Sequence, residues 1–194
     1  GVSVLKNQGA GTYAPPVYYA LPQNQSVGEV ALADFDGDGD PDAFATIRGA
    51  NDDDARLLVW RNNGDGTLAA PMAFATGQAP VGILVADFTG DGKADVATAN
   101  YAFGARTVSL LKHNGQAGAG AGFLSRTDFP LGMRVEDPAA ADVNGDGHLD
   151  LAVGGFQDNN VSYLSILVND GTGVFAAPVA YEGAPGGVPS PRTP

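Results

Sequence analysis

Apolar residues in this chain come in short runs cut by polar turns. Ile83-Leu-Val-Ala86, Val96-Ala-Thr-Ala99, Val108-Ser-Leu-Leu111 and Leu57-Leu-Val-Trp60 are typical. Runs this short, bounded by Gly, Asn, Asp and Pro, predict strands and tight turns rather than helices. Alternation within them is imperfect, as expected of strands covered on both faces. The runs recur in one order. A strand leads into an acidic segment, a second leaves it, and a third follows. A Gly-rich turn then ends in a short fourth strand such as Pro71-Met-Ala-Phe74 or Pro178-Val-Ala-Tyr181. Four strands per unit, repeated along the chain, predict an all-β fold of stacked four-stranded blades.

Composition agrees with many short strands: 28 Gly and 13 Pro among 194 residues. With no cysteine, disulfides and thiolate metal sites are excluded. No apolar stretch approaches the roughly 18 residues of a membrane span. A net charge of −12 argues against nucleic acid or an anionic membrane as partner.

The acidity is clustered. Eleven of the 22 acidic residues fall in three matching segments that begin at Asp34, Asp87 and Asp142, 53 and 55 residues apart. A second element recurs between them. Asn62-Asn-Gly-Asp-Gly-Thr-Leu-Ala-Ala-Pro71 resembles Asn169-Asp-Gly-Thr-Gly-Val-Phe-Ala-Ala-Pro178, with a weaker copy from Asn7 and a stretched one from Asn114 to Phe123.

Calcium takes several hard oxygen ligands at about 2.3–2.6 Å. Positions 1, 3, 5, 7 and 9 of a tight loop can converge on such an ion. In the first loop these are Asp34, Asp36, Asp38, Asp40 through its carbonyl, and Asp42. The second offers Asp87, Thr89, Asp91, the carbonyl of Lys93, and Asp95; the third offers Asp142, Asn144, Asp146, the carbonyl of His148, and Asp150. Position 7 holds Asp, Lys and His in turn, which a carbonyl ligand tolerates and a side-chain ligand does not. The expectation is about three calcium ions, the first loop binding tightest and the second weakest. An EF-hand is excluded because its position 12 requires Glu, whereas this chain has Ala45, Thr98 and Val153. Position 2 is Phe35, Phe88 or Val143, expected to plug the core between blades.

These segments resemble the FG-GAP and VCBS-type repeats of integrin α-subunit propellers and many secreted bacterial proteins. The resemblance implies a calcium-stabilised β-propeller acting in adhesion, carbohydrate binding or assembly. About three and a half blades are expected: residues 1–32 as an outer half-blade, then repeats at 33–85, 86–140 and 141–182, with 183–194 as a Gly/Pro-rich tail. The chain opens inside what reads as a strand, so a processed or truncated product is expected. Such an arc exposes apolar flanks, so another protein chain covering them, or a glycan, is the expected partner.

A catalytic reading finds little support. His148 stands at the variable loop position, and His113 beside a Gly-rich turn reads as a surface residue. No Gly-x-Ser-x-Gly motif occurs. Asn51–Asp54 reads as a solvated loop, Trp60 as packing, and Tyr101 and Phe103 as possible contact residues. The expected function is an extracellular, periplasmic or cell-surface interaction module or assembly subunit. The alternatives are a lectin-like propeller and a non-catalytic domain of a larger secreted enzyme.

Overall fold

The computed structural model describes residues 1–21, 25–49, 54–102, 106–158, 161–183 and 191–192. It is all-β, with a short 3-10 turn at Gly118–Gly120. The short β-rich runs of the sequence become antiparallel meanders, because neighbouring antiparallel strands can be joined directly by a turn, with no crossover.

In chain order the strands are β1 (Val2–Val4), β2 (Asn7–Gly9), β3 (Thr12–Tyr13), β4 (Val17–Tyr19), β5 (Ser26–Ala33), β6 (Asp42–Arg48), β7 (Arg56–Trp60), β8 (Met72–Ala75) and β9 (Pro80–Ala86). They continue as β10 (Asp95–Asn100), β11 (Thr107–Leu111), β12 (Thr127–Pro130), β13 (Arg134–Ala141), β14 (Asp150–Phe156), β15 (Ser162–Leu167), β16 (Val179–Glu182) and β17 (Pro191–Arg192). The first full sheet is β5-β6-β7-β8, the second β9-β10-β11-β12 and the third β13-β14-β15-β16-β17. Strands β1 and β4 form a half-sheet, and β2 and β3 a small hairpin between them. Each full sheet includes the strand leading into its acidic loop, so its frame starts one strand before the loop. Pro191–Arg192, within the segment expected as a tail, pairs with β16 as a fifth strand.

The sheets stack in sequence order, and the cores lie between them. Phe35, Phe44, Leu57 and Val59 of the first sheet meet Val96 and Leu111 of the second. Phe88, Ala97, Val108 and Leu110 of the second meet Val135, Leu151 and Phe175 of the third. Trp60, Ile47 and Ala45 of the first face Val2 and Tyr19 of the half-sheet, so Trp60 is a packing residue, as its strand implied. Residues 50–53, 103–105 and most of 183–194 lie outside the described residues, and with them most of the Asn51–Asp54 loop, Phe103 and the Gly/Pro-rich segment.

First strands also bond across sheets. Glu29 sits at a register shift in β5, and its Oε2 accepts the Ile83 N–H of β9 at 2.7 Å. This satisfies a carboxylate at the inner edge of the stack and an amide that the ladder leaves over.

The position-2 plugs behave unequally. Phe35 and Phe88 are each 1% exposed, whereas Val143 is 51% exposed on the far face of the third sheet. Phe35→Ala is expected to cost about 3–5 kcal/mol in urea unfolding through the cavity it leaves. Val143→Ala, at the same motif position, is expected to cost under about 0.5 kcal/mol, as an exposed truncation does. Equal costs would contradict the stacking described.

Candidate metal centre

Each acidic loop joins the first strand of a sheet to the second. The loop curls because the glycines at its positions 4 and 6 take φ between +72° and +93° (Gly37, Gly39, Gly90, Gly92, Gly145 and Gly147), a region glycine enters without steric cost. That curl aims backbone N–H groups inward at the position-1 carboxylate. Asp34 accepts from Gly37 and Gly39 at 2.7 and 3.0 Å, Asp87 from Gly90 and Gly92 at 2.7 and 2.8 Å, and Asp142 from Gly145 and Gly147 at 2.7 and 2.9 Å. Position 5 takes the position-7 amide: Asp40 to Asp38, Lys93 to Asp91 and His148 to Asp146, each 2.9 Å. Position 7 is thus held by its backbone, which is why Asp, Lys and His are all accommodated.

Position 9 closes the loop. Asp42, Asp95 and Asp150 are the first residues of β6, β10 and β14, and all three are fully buried. One oxygen accepts the position-2 amide, from Phe35 at 2.8 Å, Phe88 at 2.9 Å and Val143 at 3.0 Å. The other accepts the amide heading the turn between the third and fourth strands, from Asn62 at 2.7 Å, His113 at 2.7 Å and Asn169 at 2.8 Å. A single carboxylate therefore ties two loops of one sheet together.

Burial pushes the Asp42 and Asp95 carboxyls up, an effect the amides of Asn62 and His113 partly offset and the nearby charges of Asp36 and Asp91 reinforce. Their contribution to metal-free stability is present at low pH and is lost as pH rises through the raised folded values. Asp142 goes the other way: the Gly147 amide, with those of Gly145 and Asp146, holds its carboxyl down. Its contribution is present above the ordinary carboxylate range and lost as pH falls through the lowered value.

The first loop carries the arrangement that fits a cation. Asp34, Asp36 and Asp42 each place a carboxylate oxygen within 4.8 Å of the others. Asp36 is buried, and its Oδ1 has no hydrogen-bond partner; its Oδ2 lies 3.6 Å from Arg61 Nη1. A buried carboxylate oxygen without a partner is costly, and a hard divalent cation among oxygens satisfies it. Asp38 and Asp40 stand outside this grouping, and no such grouping of three acidic side chains forms in the described second or third loop. There, the Thr89 hydroxyl leans 3.4 Å from Asp87, and Asn144 donates its amide to Asp146 at 2.8 Å. Residues 141–148 of the third loop are exposed throughout.

The first two loops are capped by the following sheet. His113 Nε2 donates to the Phe35 carbonyl at 3.1 Å, its Nδ1 accepting from Gly115, and the Gly118 amide donates to the Asp36 carbonyl at 2.8 Å. Asn169 Nδ2 donates to the Phe88 carbonyl at 2.8 Å. This corrects two readings of the sequence. His113 is a buried latch, not a surface residue, and it, not Asn114, heads its turn, bridging to Phe123 as Asn62 does to Leu68 and Asn169 to Phe175. Sequence reasoning missed the latch because Asn and His share no obvious motif; the signal was their common place at the turn head. Tyr101 is half-exposed as expected, but Arg134 sits 5.7 Å from its ring centroid and donates to its hydroxyl, so the ring is engaged as part of a clamp with Phe156 and Asp158.

Two repeat profiles match most of the chain. A profile described as an FG-GAP-like repeat matches residues 1–45 and 46–98. A second, described as an FG-GAP repeat, matches residues 79–124 and 135–167. The chain belongs to the FG-GAP repeat family. No curated protein matches it. Among solved structures, the V. cholerae biofilm matrix protein Bap1 is similar at 19% identity and a TM-score of 0.33, over 76% of this chain and 29% of that one. The chain thus spans under a third of that protein's length, and the likeness is too low to carry weight for fold or function.

Asp95→Asn turns an acceptor oxygen into an amino group facing the Phe88, Thr89 or His113 amides. The expected cost is about 2–3 kcal/mol, read by urea unfolding in chelator so that no metal contributes. A change within about 0.5 kcal/mol would contradict the clamp.

Proposed function

We propose that this FG-GAP chain is a calcium-stabilised extracellular interaction module, an arc of β-propeller blades that works by presenting surface rather than by catalysis. The observation that carries the calcium reading is the partnerless, buried Asp36 Oδ1 beside Asp34 and Asp42. Asp34, Asp36 and Asp42 would hold the ion, and the carbonyl of Asp40 is placed by sequence to join them. Bound calcium would supply neutralising charge to the most acidic loop. The chain's own residues do the rest: glycine amides orient Asp34, and Asp42 fixes the loop to its sheet. The extracellular and adhesion-type reading draws on the FG-GAP repeats, and the propeller reading on the ordered stacking of four-stranded sheets. The fully buried position-9 carboxylates are spent on backbone amides, which favours a structural role over acid–base work.

Thermal unfolding in about 1 mM calcium and in chelator tests the reading. Ligand at 100 times its Kd stabilises by about 2.7 kcal/mol, and about 1 kcal/mol moves the midpoint of a domain this size by about 2–4 °C. Calcium is therefore expected to raise the midpoint by several degrees, magnesium to substitute poorly, and Asp36→Asn to remove most of the shift. A midpoint indifferent to calcium would overturn it.

A further inference from the structure

The residue before each turn head is a cation in three turns: Lys6 before Asn7, Arg61 before Asn62 and Lys112 before His113; in the last turn Val168 precedes Asn169. The two lysines reach forward to the turn of the next sheet. Lys6 Nζ donates to the Asp65 carbonyl at 2.7 Å, and Lys112 Nζ to the Thr172 carbonyl at 3.5 Å. Arg61 turns instead to the acidic loop of its own sheet, where its Nη1 lies 3.6 Å from Asp36 Oδ2. Asp36 is the position-3 residue, and the loops differ there: Thr89 holds that place in the second and Asn144 in the third. The guanidinium thus stands at the loop whose third position carries charge.

An ion pair between two exposed side chains would carry little weight. Here the carboxylate is enclosed: the Asp36 side chain is 7% exposed, that of Arg61 34%. The Gly118 amide bonds the Asp36 carbonyl at 2.8 Å and His113 bonds the Phe35 carbonyl at 3.1 Å, so the next sheet closes over this part of the loop. Charges shielded from water are screened less by it and by salt. The carboxylate also has two demands on it. Its Oδ2 faces the guanidinium and its Oδ1 has no hydrogen-bond partner, while Asp34 and Asp42 bring carboxylate oxygens within 4.8 Å. A cation held by Asp34, Asp36 and Asp42 would therefore share Asp36 with Arg61.

We propose that Arg61 is a resident countercharge of the first loop, which offsets the repulsion among its carboxylates and lowers the loop's affinity for calcium. Two positive charges on one carboxylate repel each other. Calcium loops set their affinity by ligand charge and site rigidity, and Arg61 subtracts one unit from the charge that the three aspartates supply. It is not a ligand; it competes with the ion for Asp36. The first loop has the most carboxylates, yet its affinity lies below what their number alone would give. The inference rests on the calcium reading of this loop and names the residue that sets the strength of binding there.

Thermal unfolding of the 194-residue chain and of Arg61→Gln, each in chelator and across a calcium series, tests it. In chelator the variant is expected to melt below the wild type, because Asp36 loses its countercharge. Calcium is expected to raise the variant's midpoint further than the wild type's, and calorimetric titration to give the variant a Kd on the order of tenfold lower. Arg61→Lys, which keeps the charge, is expected to shift as the wild type does. A packing role for Arg61 would lower the midpoint equally in chelator and in calcium; that result overturns the proposal. So does a smaller calcium shift in Arg61→Gln, which would make Arg61 a residue that positions Asp36 for the ion. If calcium moves neither the wild type nor the variant, the calcium reading fails and the countercharge with it. A wild-type shift that Asp36→Asn removes and Arg61→Gln does not enlarge overturns the countercharge alone.

Discussion

The structure depends on a buried carboxylate at the start of the second strand of each full sheet. Asp42, Asp95 and Asp150 each accept the position-2 amide of the acidic loop, Asp95 that of Thr89 as well, and one amide from the distant turn. Burying an aspartate without partners would cost several kcal/mol, so these bonds are a condition of the fold. They fix the turn relative to the loop, and in the second and third sheets the turn carries the residue, His113 or Asn169, that latches the preceding sheet. A local bond within one sheet thus sets the geometry of the next interface, which is how a chain of near-identical units stacks in order.

Charge is the counterweight. Gathering carboxylates in a tight loop is unfavourable, and the fold answers it in stages. Glycine amides take up position 1, the position-7 amide takes up position 5, and the strand-borne aspartate is satisfied twice over. In the first loop one oxygen, Asp36 Oδ1, is left. The same loop is the one most deeply covered, since His113 and Gly118 of the next sheet close over it. Coverage removes water from the carboxylates, and it is coverage that makes a cation useful there. The third loop has the same motif but lies open over residues 141–148, with the Asp142 and Asp146 carboxylates free to meet solvent.

Much of this was legible in the sequence. The strand runs, their order and the acidic loops with their paired glycines all follow from local chemistry: strand propensity, positive φ and the need for converging oxygens. Trp60 was legible as packing because its whole strand is apolar. What was not legible depends on neighbours in space. Val143 carries the same apolar signal as Phe35 and Phe88, yet stands exposed, because burial at position 2 comes from the following sheet. His113 reads as a polar residue by a turn, and only the stack places Phe35's carbonyl against it. The double use of the position-9 aspartate is also invisible in sequence, since the amides it accepts come from residues up to 20 positions away.

The most direct measurement of the central claim is amide hydrogen exchange at Asn62, His113 and Asn169, the three turn-head amides bound to buried carboxylates. If the clamp holds each sheet together, these amides exchange only through global unfolding, with the protection of the central strands. Exchange as fast as at the neighbouring exposed turn amides of Gly64 and Gly115 would show that the turns open on their own, and that the buried aspartates do not hold the fold.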